Sequence, residues 1–358
     1  MQPDTRRMVF TGGTPVPQRT SSLTKKLRLF RAWASRYPVW CSWQVTYRCN
    51  YHCAFCQYWR DPMGGLPEQT VGQFEEGSRK LARLGTLFVS LAGGEPLLRP
   101  DFPDIVRAVA RWHIPFVTTH GGFVTEELAQ ELYDAGLWGI SVSIDYADPA
   151  RHDRTRGMKD AFAGAVHALE CCAKARRHKY QRLNLLGVLL HDNMDQIEGL
   201  IQLAAKYRAY FMVQPYCDRK TGLGRYHHAD GPVGPRLLEL RRKYPNFLSN
   251  PNFLSHIDQY LDGGVPGCRA GQAFFNIDSV GDVAICVEER PRPVANLYRD
   301  SAREIVLALR AASAGNTCTD CWYNCRGETE CLYSPASLVK SLPTYFLDRP
   351  RPKRNGTP

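Results

Sequence analysis

The sequence lacks any apolar run of membrane-spanning length. Its longest, Leu183 to Leu190, is interrupted by Asn184 and Gly187, far short of the ~18 residues a span requires, so no transmembrane helix is expected. No apolar stretch follows Arg6-Arg7, which argues against a secretory signal and makes a reducing cytoplasm the expected compartment. Cysteine is too sparse for a disulfide scaffold: there are 13 in 358 residues, an odd number, below the ~8–10% of such chains. A net excess of basic charge is missing from the body. Residues 1–36 hold eight Lys or Arg against one acid and residues 337–358 five against one, which accounts for the whole net charge of +11. A neutral middle with no basic residues interleaved with aromatics leaves nothing to line a nucleic-acid groove, so no nucleic-acid partner is expected.

What is present is a globular composition, 44% hydrophobic and 23% charged. At ~150 residues per domain the length suits two domains, or one large α/β domain with an appendage. From Pro38 to about residue 245 a short β-rich run alternates with a helical pattern. The runs are Val39 to Thr46, Thr86 to Leu91, Phe116 to Thr119, Gly139 to Ile144, Leu183 to Leu190 and Tyr210 to Pro215. Helical periodicity falls between them, over Val71 to Leu84, Phe102 to Trp112, Thr125 to Ala135, Ala161 to Arg176 and Met194 to Tyr207. Such alternation predicts an α/β fold with a parallel sheet, a partial (β/α)6 TIM-like barrel.

After Tyr216 glycine and proline become dense, as in a linker or lid. Residues 246–335 then carry six cysteines, a hairpin pattern (Ala273 to Ile277, Val283 to Val287) and a helical stretch near Arg303 to Ala312. This is a small cysteine-rich unit with too little core to fold unaided, and bound metal would supply stability. The expected division is a basic amphipathic segment (1–37), a barrel core (38–245), the cysteine-rich unit (246–335) and a basic tail (336–358).

Cysteines cluster in two places. Cys49, Cys53 and Cys56 have the spacing C-x3-C-x2-C just beyond the first strand, at the end where parallel barrels place their active sites. Structural zinc needs four ligands and could recruit His52, whereas an iron–sulfur cubane held by three thiolates leaves one iron open; spacing alone does not choose between them. The motif as it stands, Cys49-Asn50-Tyr51-His52-Cys53-Ala54-Phe55-Cys56, resembles the signature of the radical S-adenosylmethionine (SAM) superfamily, with Phe55 as the aromatic before the third cysteine. The resemblance implies a [4Fe-4S] cluster on Cys49, Cys53 and Cys56, with SAM on the open iron. One-electron reduction would then cleave SAM to a 5′-deoxyadenosyl radical that abstracts a substrate hydrogen.

Later strand ends agree with it. Gly93-Gly94-Glu95-Pro96 resembles the GGEP motif whose Glu meets the SAM amino group. His120 in Thr118-Thr119-His120-Gly121 stands where relatives often carry Asn, and Ser143 and Asp145 resemble an S-x-D contact to the SAM ribose or carboxylate. Arg156, in the run from His152 to Gly157, resembles the Arg that pairs the SAM carboxylate.

The second group is Cys268, twelve residues, Gly281, four residues, Cys286, then Cys318-x2-Cys321-x3-Cys325-x5-Cys331. Its first half resembles the C-x(9–15)-G-x4-C element of the twitch and SPASM extensions, implying an auxiliary [4Fe-4S] cluster. One cluster on Cys268, Cys286, Cys318 and Cys321 is the expected set, with Cys325 and Cys331 as substitutes or ligands of a second. Relatives usually read x5 then x3 and have another cysteine downstream; this chain reads x3 then x5 and has none. Acid and base candidates nearby are Glu288, Glu289, Asp278 and Asp282. Zinc in the second group is the competing assignment, and a zinc-binding nucleic-acid adaptor the competing class.

The expected reaction is oxidation or bond formation on a peptide or biosynthetic small molecule, with a lipid or isoprenoid as the alternative and a flavodoxin or ferredoxin as electron donor. Leu23 to Arg36 forms an amphipathic pattern, Leu23, Leu27, Phe30 and Ala34 sharing one face opposite Lys25, Arg28 and Arg31. It is expected to cap the open bottom of the barrel or, together with the basic C-terminal tail, to touch the anionic inner face of a membrane.

Overall fold

Six β-rich runs become six parallel strands: β1 (Trp40–Thr46), β2 (Phe88–Gly93), β3 (Ile114–Thr119), β4 (Gly139–Ser143), β5 (Arg182–Leu189) and β6 (Tyr210–Pro215). They pair in chain order, β1 with β2 through to β5 with β6, as successive βα units require. The computed structural model describes residues 37–330 other than 179, 229 and 230, together with Leu27, Phe30, Ala34 and Tyr333.

The crossovers are α1 (Val71–Leu84), α2 (Phe102–Ala110), α3 (Glu126–Ala135), α4 (Pro149–Arg156), α5 (Ala161–Ala175) and α6 (Ile197–Lys206). Local chemistry sets their ends. In α1, Thr70 and Gln73 form a reciprocal capping box and Gly85 closes the helix in the left-handed region; Thr125 caps α3 by accepting from the Leu128 amide. Apolar faces such as Phe74, Leu81 and Leu84 of α1 pack on the outer strand residues Cys41, Trp43 and Val45 in one continuous core. The alternate strand residues Ser42, Gln44, Ser90, Thr118, Ser141 and Asn184 face a cavity within the sheet's curve. Phe116 and Trp138, which pattern alone reads as core, also line it.

The cysteine-rich part joins this sheet directly. β7 (Phe274–Ile277) lies parallel to β1 with Trp40 opposite Phe274, and β8 (Asp282–Ala284) and β9 (Ala295–Asn296) follow antiparallel, giving nine strands in the order β6-β5-β4-β3-β2-β1-β7-β8-β9. Gln44 donates to Asn276 Oδ1 at 2.8 Å across the junction.

At the end of the stretch that sequence reads as a linker the chain forms α7 (Gly234–Lys243), and α8 (Pro251–Ser255) and α9 (Ile257–Leu261) follow at the start of the 246–335 unit; Leu237, Leu240, Phe253 and Ile257 are buried in the same core. α10 (Ala302–Ala314) packs on α1, and α11 (Asn324–Glu330) rests on α8, β1 and β7. No helix among the described residues is long and apolar enough to cross a membrane. Leu27, Phe30 and Ala34 are helical, as their periodicity predicts. Leu27 and Phe30 are nevertheless 60% and 65% exposed, so at these positions the face is not buried beneath the barrel.

Candidate active site

Beyond Thr46 the chain turns across the carboxyl end of the barrel and carries Cys49, Cys53 and Cys56. Backbone bonds clamp this loop on both sides: Gly94 N–H donates to Thr46 O (2.8 Å), Glu95 N–H to Arg48 O (2.9 Å) and Ala54 N–H to Thr155 O (2.9 Å). The approach at Gly93-Gly94 requires glycine. A Cβ would lie 1.9 Å from Thr46 O at Gly93, where φ is +136°, and 2.1 Å from Arg48 O at Gly94. Burial pushes the Cys49 thiol up to about 11 and the Cys53 thiol up to about 12, the Arg156 guanidinium opposing both. No three His, Cys, Asp or Glu side chains among the described residues gather tightly enough to share a single ion.

Glu95 is buried, 1% exposed. Its Oε1 accepts from Thr119 Oγ1 (2.8 Å) and Leu97 N–H (3.1 Å) and its Oε2 from His120 N–H (2.9 Å); Pro96 opens the short turn that aims the Leu97 amide. Burial pushes this carboxyl up to about 7, against the pull of those donors. His120 Nδ1 accepts from Gly122 N–H (3.0 Å), which places the ring proton on Nε2, 2.9 Å from Asn50 Oδ1. Burial lowers this imidazole to about 3, so it is neutral and its 3.3 Å approach to Glu95 is no ion pair. The ring stacks on Tyr51 at 3.6 Å and 4°, tying the end of β3 to the cysteine loop.

Arg156 and Asp145, assigned separate roles by resemblance, are partners of each other. Arg156 Nε and Nη2 lie 2.8 and 2.7 Å from Asp145 Oδ2, while Oδ1 accepts from Val188 N–H at 2.9 Å. Arg156 also stands 5.3 Å over the ring of Phe55. Ser143 lines the same wall.

A cavity of about 1120 Å³ runs from Cys49, Cys53, Cys56, Glu95, His120 and Arg156 to Lys220, Tyr323 and Cys325. Around its far end Cys268, Cys286 and Cys325 share one side-chain cluster. Cys325 also belongs to a second, with Cys321, Tyr323 and Cys217. Cys318 is half-buried, its amide donating to Asn316 Oδ1 (3.2 Å) while Asn316 Nδ2 donates to Cys268 O (3.1 Å). Cys331 lies outside the described residues.

The four acid and base candidates separate. Glu288 Oε1 accepts from Lys220 Nζ (2.9 Å) and Tyr323 OH (2.8 Å); burial works against its charge, but the Lys220 ammonium holds it below the ordinary carboxylate value. Glu289 is ion-paired with Arg219 (3.2 Å) and Arg292. Asp278 accepts from the Val280 and Asp282 amides in the β7–β8 turn, and Asp282 pairs with Arg299 (3.3 Å), so both serve the hairpin and neither lines the cavity.

Two residues escaped the sequence reading because they lie in the glycine-rich stretch taken as a linker. Lys220 sits 4.7 Å over the ring of Tyr58 and 5.4 Å over that of Tyr323, between the two thiol groups. Cys217 lies two residues beyond β6. The available signal was a cysteine and a lysine at the carboxyl end of a barrel strand.

Residues 43–204 match the radical SAM superfamily. Those residues form a radical SAM domain, and the chain is an enzyme of the radical SAM class, which works with a [4Fe-4S] cluster and SAM. Over 342 residues, 88% of this chain and 82% of its relative, it is 28% identical to mycofactocin maturase MftC of Mycolicibacterium smegmatis. It is 33% identical over 182 residues to the AdoMet-dependent heme synthase of Methanosarcina barkeri, covering 49% of this chain and 51% of that one. Its fold resembles that of Streptococcus suis SuiB bound to the precursor peptide SuiA, with a TM-score of 0.59 and 15% identity over 78% of this chain and 68% of that.

The donor set fits the class. Three thiols on one loop would leave one iron of a cubane open, a buried carboxylate suits an ammonium, and a guanidinium beside the loop suits a carboxylate.

Proposed function

We propose that this enzyme performs SAM-dependent radical chemistry on a peptide. The observation that carries the reading is the continuous cavity from the three-cysteine loop to the C-terminal thiols, roomy enough for a peptide segment beside SAM. The likeness to a maturase and to a fold seen with a precursor peptide supports it. When bound, the [4Fe-4S] cluster and SAM supply a 5′-deoxyadenosyl radical for hydrogen abstraction, and a C-terminal [4Fe-4S] cluster supplies a second redox centre.

The residues of the chain divide the remaining work. Cys49, Cys53 and Cys56 would hold the first cluster; Glu95 would receive the SAM amino group, and Arg156, anchored by Asp145, would pair with the SAM carboxylate. Gly93, Gly94 and Pro96 shape the wall, Phe55, Ser143 and His120 complete it, and His120 keeps the loop in place through Asn50. Cys268, Cys286, Cys321 and Cys325 are the ligands proposed for the auxiliary cluster. Lys220, Glu288 and Tyr323 share protons over hydrogen bonds at the wall between the thiol groups, where a proton released from an oxidised substrate can be received. A flavodoxin or ferredoxin is the proposed electron donor. Residues 1–37 and 336–358 flank the 38–245 core and the 246–335 unit as basic segments.

The test is anaerobic reconstitution followed by iron, sulfide and zinc analysis, then addition of SAM, dithionite and a peptide library. Deoxyadenosine with a mass change in a peptide is expected. Stoichiometric zinc with no iron, or deoxyadenosine whose yield no peptide affects, overturns the proposal.

A further inference from the structure

Three Lys or Arg side chains line the cavity, and two of them already have carboxylate partners: Arg156 pairs with Asp145 and Lys220 with Glu288. The third, Arg182, opens β5 at the amino end of the barrel, and no carboxylate among the described residues lies within ion-pairing distance of it. Of the acids on the same cavity, Glu328 accepts from Asn250 N–H (3.0 Å) and Glu95 is held at the opposite end of the strands. The Arg182 guanidinium lies 5.7 Å from the ring of Trp138 and 4.9 Å from that of Tyr210. Ring faces steady the flat cation but leave its N–H fork to other acceptors.

A second donor stands at the same end. Trp40 opens β1, lines the cavity edge-on to Phe116 (4.7 Å, 62°), and its indole N–H is buried with no acceptor among the described residues. An indole and a guanidinium can only donate. The floor of the cavity therefore offers donors between aromatic walls, and the group that complements it is an anion with two acceptor oxygens.

We propose that this floor anchors a carboxylate of the peptide substrate on Arg182, with the Trp40 N–H as a supporting donor. The inference rests on the peptide reading above and names the group by which the peptide is held. Gly139 sits opposite Arg182 in the sheet, and Ser143, on the wall beside Arg156, lies four residues farther along β4, about 13 Å at ~3.3 Å per residue. The carboxylate is thus a handle that undergoes no covalent change, and the hydrogen abstracted lies several extended residues away along the peptide.

The experiment uses the full chain, reconstituted anaerobically and saturated with SAM, in equilibrium dialysis against three matched pools of short synthetic peptides. One pool has a free C-terminus and no Asp or Glu, one a C-terminal amide and a single Asp or Glu, and one a C-terminal amide and neither acid. Bound peptide is measured by mass spectrometry for the unaltered protein, Arg182→Met, Arg182→Lys, Trp40→Phe and, as an exposed control, Arg177→Met. The unaltered protein is expected to bind a carboxylate pool about 10- to 100-fold over the acid-free pool, the value of a charged hydrogen bond. That preference should vanish in Arg182→Met, persist in part in Arg182→Lys, weaken less in Trp40→Phe and stay unchanged in Arg177→Met. The pool preferred tells a C-terminal carboxylate from a side-chain one, and the lysine and phenylalanine variants decide the matter should Arg182→Met prevent folding. Equal binding of all three pools, or a preference that survives both Arg182 substitutions undiminished, overturns the inference and leaves the peptide reading standing. Binding of no pool overturns both.

Discussion

The three-cysteine loop and, through Cys325, the C-terminal thiols meet at one cavity, yet the two groups are built in opposite ways. Cys49, Cys53 and Cys56 ride on a single loop that backbone hydrogen bonds clamp between the ends of β2 and α4. Around them Glu95, His120 and the Arg156–Asp145 pair are already held by protein donors and acceptors. The C-terminal thiols arrive from separate places: before β7, after β8, from the loop ahead of α11 and from α11 itself. One site is prebuilt and local; the other is gathered by the fold. A local site declares its ligands through spacing, whereas a gathered one declares only that thiols are present.

The hardest test of that contrast is removal of the first group. The triple variant Cys49→Ala, Cys53→Ala, Cys56→Ala is expected to form no detectable deoxyadenosine, while C-terminal iron stays bound, because the thiols of the two groups share no ligand. Chromatography of nucleosides and iron analysis report both. Residual SAM cleavage, or simultaneous loss of all iron, would break the division.

Replacing Cys268 and Cys286 together probes the other half. Deoxyadenosine should still form and product should not, since these thiols stand at the end of the cavity away from Glu95 and Arg156. Mass spectrometry of the peptide alongside nucleoside analysis measures this uncoupling. Normal product yield would reduce the second group to a structural role.

The same contrast explains what was legible in the sequence. The six strands and their helices follow from alternation of apolar runs, and Gly93-Gly94-Glu95 stands out through its resemblance to a family motif and its place at a strand end. The Arg156–Asp145 pair was not readable as a pair: eleven residues apart, the two meet only because α4 folds back over the end of β4. Cys325 beside Cys268 and Cys286, and Lys220 between Tyr58 and Tyr323, depend on how α11 and the stretch after β6 dock. Such long-range packing leaves no period in the chain. The hairpin was visible in the sequence, but the parallel pairing of β7 with β1 has no local signature.

Arg156→Ala tests whether the first site is prebuilt. Asp145 is 0% exposed, and removing its partner leaves a buried carboxylate uncompensated, a change that costs ~3–5 kcal/mol in comparable pairs. Denaturant unfolding of the iron-free protein should therefore show the loss without any cofactor present. Equal stability of the variant would mean that metal, and not the protein, organises this wall. Arg156→Lys should recover part of the stability, since an ammonium restores charge but only one of the two contacts to Oδ2.

Lys220→Met should have a smaller effect, confined to product. Its ammonium bonds to Glu288 and faces two phenol rings, so the variant removes a charged hydrogen bond worth ~1.5–3 kcal/mol, or roughly 10- to 100-fold in product formation, with deoxyadenosine release maintained. Proportional loss of both would place Lys220 on the SAM side of the cavity.

The smallest expected effects lie at the N-terminal face, where the structure chooses between two uses of one pattern. Leu27 and Phe30 are 60% and 65% exposed, so Leu27→Asp and Phe30→Asp should each alter unfolding free energy by no more than ~0.5 kcal/mol, as exposed substitutions do. A loss of several kcal/mol would mean that the face is buried against the barrel after all. If the face instead meets a membrane, the same substitutions should abolish sedimentation with vesicles containing anionic lipid, because an apolar side chain and a nearby positive charge both contribute there. Changing Lys25, Arg28 and Arg31 to Glu should do the same while leaving SAM cleavage intact. Binding should weaken as salt rises past ~0.15 M, where the Debye length is ~8 Å, whereas salt-insensitive absence of binding by the unaltered protein removes the membrane role and leaves the exposed face without one.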